Sequence, residues 1–251
     1  MKTIKSILFC ALALGSIQLN VMGQQMYHVH EDIVKPGMTA EYEAVLSEVG
    51  ALLESNPIED TNMMVFQSSS NHYFWISPIA SMADLDKPSP VAKLAKKAGE
   101  DKVWPLFTRM DKCYDVERNY IITLDAELSY MPNGLTLTPE GEDYREHYKL
   151  YVTPSNRAVV KEKLEKIKAM FTKNNSKMHY RVYKSGFGTE SEYYLVSVAA
   201  KDEMHMAEKG KAHEDLMGED GKNMMFEMFQ TILSIEEMEG YMRPDLAYTS
   251  N

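Results

Sequence analysis

The chain has 251 residues, 44% hydrophobic and 25% charged, with 13 Gly and 10 Pro, a composition that excludes collagen-like, coiled-coil and wholly disordered proteins. Its 27 Lys and Arg against 37 Asp and Glu give a formal charge of -10. A nucleic-acid backbone or an anionic membrane surface would repel such a protein, so neither is expected as a partner.

The first segment has the layout of an export signal. Lys2 and Lys5 precede an apolar run from Ile7 to Ile17, and Val21-Met22-Gly23 forms a small-residue cleavage pattern before Gln24. Residues 1–23 are expected to be removed, and the run is too short to span a membrane, which takes about 20 apolar residues. No later stretch is long enough, so an exported protein without a membrane span is expected, in a bacterial periplasm or outside the cell. Cys10 belongs to the signal, which leaves Cys113 alone. It can form no intrachain disulfide and is expected as a buried small hydrophobe.

Beyond the signal, alternating and helical hydrophobic periods predict strands at Met26–Val34, Met63–Ser68, His72–Ser77 and Glu117–Asp125. Between them fall a helix at Thr39–Ser55 and a broken helical region from Ser81 to Tyr114. The same order returns as strands Glu146–Val152, His179–Lys184, Tyr193–Val198 and Ile235–Arg243, with helices Ser155–Lys173 and Asp202–Leu233. Thr39 and Ser155 stand where an N-cap oxygen would serve the first free amides.

The two series echo one another. Glu127-Leu128-Ser129-Tyr130 and Asp245-Leu246-Ala247-Tyr248 lie 118 residues apart, as do Pro36 and Pro154. The helical positions Tyr42, Leu46, Val49 and Leu53 fall on Val160, Leu164, Ile167 and Phe171 at the same offset. Tyr73-Phe74-Trp75-Ile76-Ser77 matches Tyr193-Tyr194-Leu195-Val196-Ser197 at 120, and Gly99-Glu100-Asp101 matches Gly218-Glu219-Asp220 at 119. The expected organisation is a repeat at 24–133, a linker at 134–143 rich in Gly and Pro, and a second repeat at 144–251. The expected class is α+β: two ferredoxin-like β-α-β-β-α-β repeats packed sheet to sheet as an intramolecular α+β barrel. That would make a pseudo-dimer within one chain, with further oligomerisation left open.

The segment Val34-Lys35-Pro36-Gly37-Met38-Thr39-Ala40-Glu41-Tyr42-Glu43, the Tyr73 to Ser77 strand and the Met82-Ala83-Asp84-Leu85 turn resemble the dimeric α+β barrel (ferredoxin-like) superfamily. The likeness is to its antibiotic-biosynthesis-monooxygenase-like and stress-responsive types, as a tandem duplication. The resemblance implies a range from cofactor-free oxygenases and haem-degrading enzymes to members with no known activity. Family oxygenases place an Asn, a Trp and a His or Tyr around a pocket between sheet and helix. Asn71, Trp75 and His72 are of those types, but nothing in the sequence fixes their register, so none is carried over as catalytic.

His28 and His30 form an H-x-H pair whose side chains share one strand face, a geometry suited to two imidazole ligands on one metal. The opposing expectation is that they line a polar part of the covered surface. Met204-His205-Met206, His213, Met217 and Met224-Met225 form a methionine-rich stretch. Thioether and imidazole would suit copper, but methionine more simply fills a core or an adaptable apolar pocket. The ligand-pocket candidates are therefore Asn71, His72, Trp75, His213 and Met217, and the metal candidates His28 and His30. No phosphate-cradling Gly-rich loop, G-x-S-x-G or C-x-x-C is present, which withdraws support from nucleotide binding, α/β-hydrolase and thioredoxin-like chemistry. Three functions remain: an exported barrel protein of unassigned activity binding a small apolar ligand with no cofactor, a monooxygenase-like or haem-handling enzyme, and a periplasmic copper- or zinc-binding protein.

Overall fold

The computed structural model describes residues 24–250; the expected export signal, with Cys10, lies outside the described residues. The elements run β1 (Met26–Val34), α1 (Thr39–Ser55), β2 (Asn62–Ser68), β3 (His72–Ile79), a 3-10 turn (Met82–Asp86), α2 (Pro90–Ala98), α3 (Glu100–Met110) and β4 (Tyr114–Tyr130). They continue as β5 (Tyr144–Tyr151), α4 (Arg157–Lys173), β6 (Tyr180–Ser185), β7 (Tyr193–Ala200), α5 (Glu203–Phe229), β8 (Ser234–Met242) and a short β9 (Tyr248–Thr249). Among the described residues no helix is long and apolar enough to cross a membrane.

Helix boundaries follow local chemistry. Gly99, at φ 107°, closes α2 and opens α3, while Gly218, at φ 58°, kinks α5; glycine is the residue that takes such angles without strain. The expected caps are corrected. Met38 and Asn156 hold the N-cap positions of α1 and α4, and neither side chain caps. The Asn156 carboxamide oxygen instead accepts from the Thr153 amide at 2.7 Å. α4 buries Val160, Leu164, Ile167 and Phe171, one face at helical spacing.

The strand order is β3-β1-β4-β6-β7-β5-β8-β2, and β2 pairs back onto β3, so eight antiparallel strands close on themselves. This overturns the expected fold class. The chain does not form two ferredoxin-like repeats packed sheet to sheet; the halves join edge to edge in one closed barrel. The reason is backbone hydrogen bonding: a face-to-face stack leaves free amides and carbonyls along every sheet edge, and closure pairs them.

Two seams make the closure. β4, 17 residues long, pairs with β1 and then with β6, from Ile122 opposite Ser185 to Asp125 opposite Val182, resuming at Tyr130 opposite Tyr180. Across the irregular interval the Leu128 amide donates to Asp125 Oδ1 at 3.0 Å, and Ser129 Oγ donates to the Asp125 carbonyl while accepting from the Val182 amide. At the second seam Ser68 faces Gly240. A Cβ at Gly240 would lie 2.0 Å from the Gln67 carbonyl oxygen, so this approach admits only glycine.

Inside the barrel Tyr27, Val29, Phe66, Phe74, Ile122 and Leu124 form the core, with Leu135 and Leu137 of the linker packed against it. Outside, α1 and α3 cover the first half over Val34, Tyr42, Val45, Tyr73 and Cys113. Cys113 is fully buried, and burial raises its thiol pKa. α4 and α5 cover the second half over Leu150, Val160, Phe171 and Tyr180.

Candidate functional site

Between the outer barrel face and the helices of the first half lies a cavity of about 510 Å³. Its walls are apolar on the helix side, from Leu46, Val49, Leu53, Leu94 and Phe107. Strand alternation puts His28, His30 and Asp32 of β1 on the outer face that forms its floor. The pairing sets them in rows: Asn119–His30–Trp75 runs across β4, β1 and β3, and Glu117–Asp32–Tyr73 lies beside it.

These groups form one chain of polar contacts. Trp75 Nε1 donates to the Tyr42 hydroxyl at 3.2 Å, and that hydroxyl donates to Asp32 Oδ2 at 2.6 Å. His30 Nε2 lies 3.0 Å from Asp32 Oδ1, too poorly aligned for a hydrogen bond, so Oδ1 is buried with a charged neighbour but no donor. His30 Nδ1 and His28 Nε2 both reach Asn119 Oδ1, at 3.0 and 3.2 Å.

The two histidines are tuned apart. Burial acts to lower the His30 pKa, but Asp32, Asn119 and Glu117 outweigh it and push it up to about 8. His28 is lowered, chiefly by burial, against the opposing pull of Asn119. At neutral pH His30 is therefore an imidazolium paired with Asp32 and His28 a neutral ring. His30, Asp32 and Glu117 offer ligand atoms all within 4.8 Å of one another.

The sequence-derived candidates divide among several places. His28, His30 and Trp75 line the first pocket. His213 and Met217 line a separate cavity of about 460 Å³ in the second half, between β5, β7, α4 and α5. There His213 Nδ1 meets Ser176 Oγ at 2.9 Å, and its ring packs 4.2 Å from Phe171. His72 lies three positions from Trp75 and so on the other face of β3, where its Nδ1 meets Glu31 Oε1 at 2.7 Å. Asn71 occupies the β2–β3 turn at φ 63°. Asn71, His72 and Trp75 thus do not converge on one pocket. In the Met-rich stretch, Met206 is buried and His205 Nδ1 accepts from the Lys201 amide.

Asp32, Asn119, Glu117 and Trp104 were not singled out from the sequence, and Tyr42 only as a helix-face position, not as a site residue. Asp32 carried a readable signal, because it extends the His28–His30 alternation by one more step. Asn119 and Glu117 carried none, since their place depends on cross-strand register.

No protein-family model and no curated protein matches the chain. Among solved structures it is similar to an anthrone oxidase-like protein, with 11% identity, 88% of this chain and 92% of that one covered, and a TM-score of 0.60. A protein of Lactobacillus acidophilus NCFM provisionally called a monooxygenase aligns at 10% identity over 87% and 94%, TM-score 0.51. A mutant chlorite dismutase of Candidatus Nitrospira defluvii aligns at 8% over 87% and 92%, also 0.51. At such identities the likeness is one of fold alone.

Proposed function

We propose that the first-half pocket binds a small, largely apolar ligand that presents one acidic hydroxyl to His30. The observation that carries this reading is a large apolar cavity with a single polar cluster, in which Asp32 and Asn119 orient a protonated imidazole. The imidazolium donates to the ligand oxygen and favours its deprotonated form. We read the protein as exported to a periplasm or beyond and as a duplication of one unit, supported by the basic and apolar layout of residues 1–23 and by the 118-residue echoes.

A second reading, monooxygenase-like oxidation in this pocket, is favoured by the fold shared with the anthrone oxidase-like protein. Deprotonating an enol or phenol raises electron density on its carbon framework, which prepares it for reaction with dioxygen.

Both tryptophans of the chain, Trp75 and Trp104, line this pocket, so selectively excited tryptophan fluorescence reports on it alone. Anthrone, whose enol carries a phenolic hydroxyl, should quench that fluorescence saturably. His30→Gln should weaken the effect about tenfold, the equivalent of one charge-assisted hydrogen bond, and Met217→Ala in the other pocket should not. Quenching indifferent to His30→Gln would remove the ligand reading. Conversion of anthrone and dioxygen to anthraquinone and water, faster than without protein and slowed by His30→Gln, establishes the oxidative one. Zinc or copper in elemental analysis of the purified protein, lost in Asp32→Asn, would instead make the cluster a metal site. A Soret shift on haem addition, abolished by His213→Ala, would move haem handling to the second pocket.

A further inference from the structure

The barrel interior contains a feature the ligand pocket does not use. Arg145 and Arg181 are 1% and 2% exposed, and both line a cavity of about 80 Å³ at the barrel centre. Neither makes an ion pair among the described residues. Of the carboxylates whose charge reaches them, Glu142 pairs with Lys209 at 3.0 Å, and Asp143, which acts on Arg145, makes no ion pair with either guanidinium.

The guanidinium groups hold the linker instead. Arg145 donates to the carbonyls of Glu142, Tyr144 and Leu137, and Arg181 to those of Thr136 and Leu137, at 3.1 and 2.7 Å, and to Ser197 Oγ. Carbonyl dipoles satisfy hydrogen bonds but do not neutralise two charges. An arginine cannot shed its proton at any ordinary pH, so the desolvation cost of each cation stands. Burial first, and Arg181 second, pull the Arg145 pKa down to about 10, a direct sign of that cost.

Two further atoms are unpartnered at the same cavity. Arg181 Nε and His147 Nδ1 are buried without a hydrogen-bond partner, and both residues line the space. His147 packs edge-on against Phe66 at 4.6 Å and is kept neutral by burial and by Arg181, Arg145 and Lys149, which push its pKa down to about 3. Arg145, Arg181 and Lys149 border the space and no carboxylate does among the described residues, and the volume exceeds the roughly 10–15 Å³ that a single water requires.

We propose that the barrel core binds a small monovalent anion, of the size of a halide or a one- to two-carbon carboxylate, beside Arg145 and Arg181, with Arg181 Nε as its main donor. The anion supplies the negative charge that the linker carbonyls lack. It thereby makes the linker, which the same arginines clamp, part of the barrel's stability.

The test is the melting temperature of the full chain in chloride, formate or acetate at constant ionic strength made up with gluconate, which is too large for the cavity. Each small anion should raise Tm by roughly 3–6 °C per tenfold increase above its Kd, and Arg181→Met should abolish the dependence. Because that variant removes a buried group and could unfold the chain, a second arm uses the unaltered protein: crystals in bromide should show an anomalous peak about 3–3.5 Å from Arg181 Nε. A Tm indifferent to the anion, a rise without a peak in the barrel, or a peak without a rise each overturns the proposal.

Discussion

The two halves place cavities of similar size in similar positions, yet the rows of strand residues beneath them differ in chemistry. In the first, the row Asn119–His30–Trp75 crosses the sheet; in the second, the corresponding row is Glu237–Tyr148–Val196. The next row changes from Glu117–Asp32–Tyr73 to Ile235–Leu150–Tyr194. Replacing Asp32 by Leu150 removes the carboxylate that holds a histidine protonated. The second pocket is lined instead by Met170, Met178, Met217, Met225 and Met228, side chains that adapt to shape rather than fix orientation. The same scaffold thus yields a chemically specific pocket and an adaptable one, separated by a few outward-facing strand positions.

The difference can be broken most strongly at Tyr42. Tyr42→Phe leaves both Asp32 oxygens without a hydrogen bond in a buried setting and should cost about 2–3 kcal/mol in urea unfolding. A cost below about 0.5 kcal/mol would mean that the Asp32–His30 pair sustains itself.

The pockets should also respond to pH with opposite sign. His30 has a folded pKa of about 8 against 6.5 for the free side chain. Its contribution is therefore complete below pH 6.5 and lost as pH rises through 8, by about 1–2 kcal/mol. His213 is lowered by burial, so its contribution is present above 6.5 and fades as pH falls below it. His28, His147 and His179 share that downward direction. Unfolding measured from pH 6 to 9 should lose its alkaline slope in His30→Gln and keep it in His213→Asn.

The smallest effect belongs to the adaptable pocket, where Met217→Leu should change stability by about 1 kcal/mol or less. It should also leave tryptophan fluorescence unaltered, because both tryptophans sit in the other half. A larger loss, or a shifted emission maximum, would show that the cavities are mechanically joined.

Much of the local structure was legible in the chain. β1 and α1 span the expected residues, and the Gly-Glu-Asp echo marks the two helix breaks, because each rests on short-range periodicity or on one residue's backbone freedom. Half of the chain of polar contacts was visible as His28, His30 and Trp75. The rest was hidden for a geometric reason. The sequence echo sets Trp75 against Leu195, which packs inside the barrel, whereas strand pairing sets Val196 in the place of Trp75. A shift of one residue exchanges the two faces of a strand.

The sequence by itself determined the order of the helices and strands, the bounds of β1 and α1, which helix faces are apolar and that His28 and His30 share a face, because these depend on neighbours within a few residues. Only the tertiary structure decided that the halves close edge to edge, that Asn119 and Glu117 stand beside His30 and Asp32, and that two arginines from different strands share the barrel core. Those outcomes turn on which strand edges pair and in what register, a competition among backbone hydrogen bonds far apart in the chain.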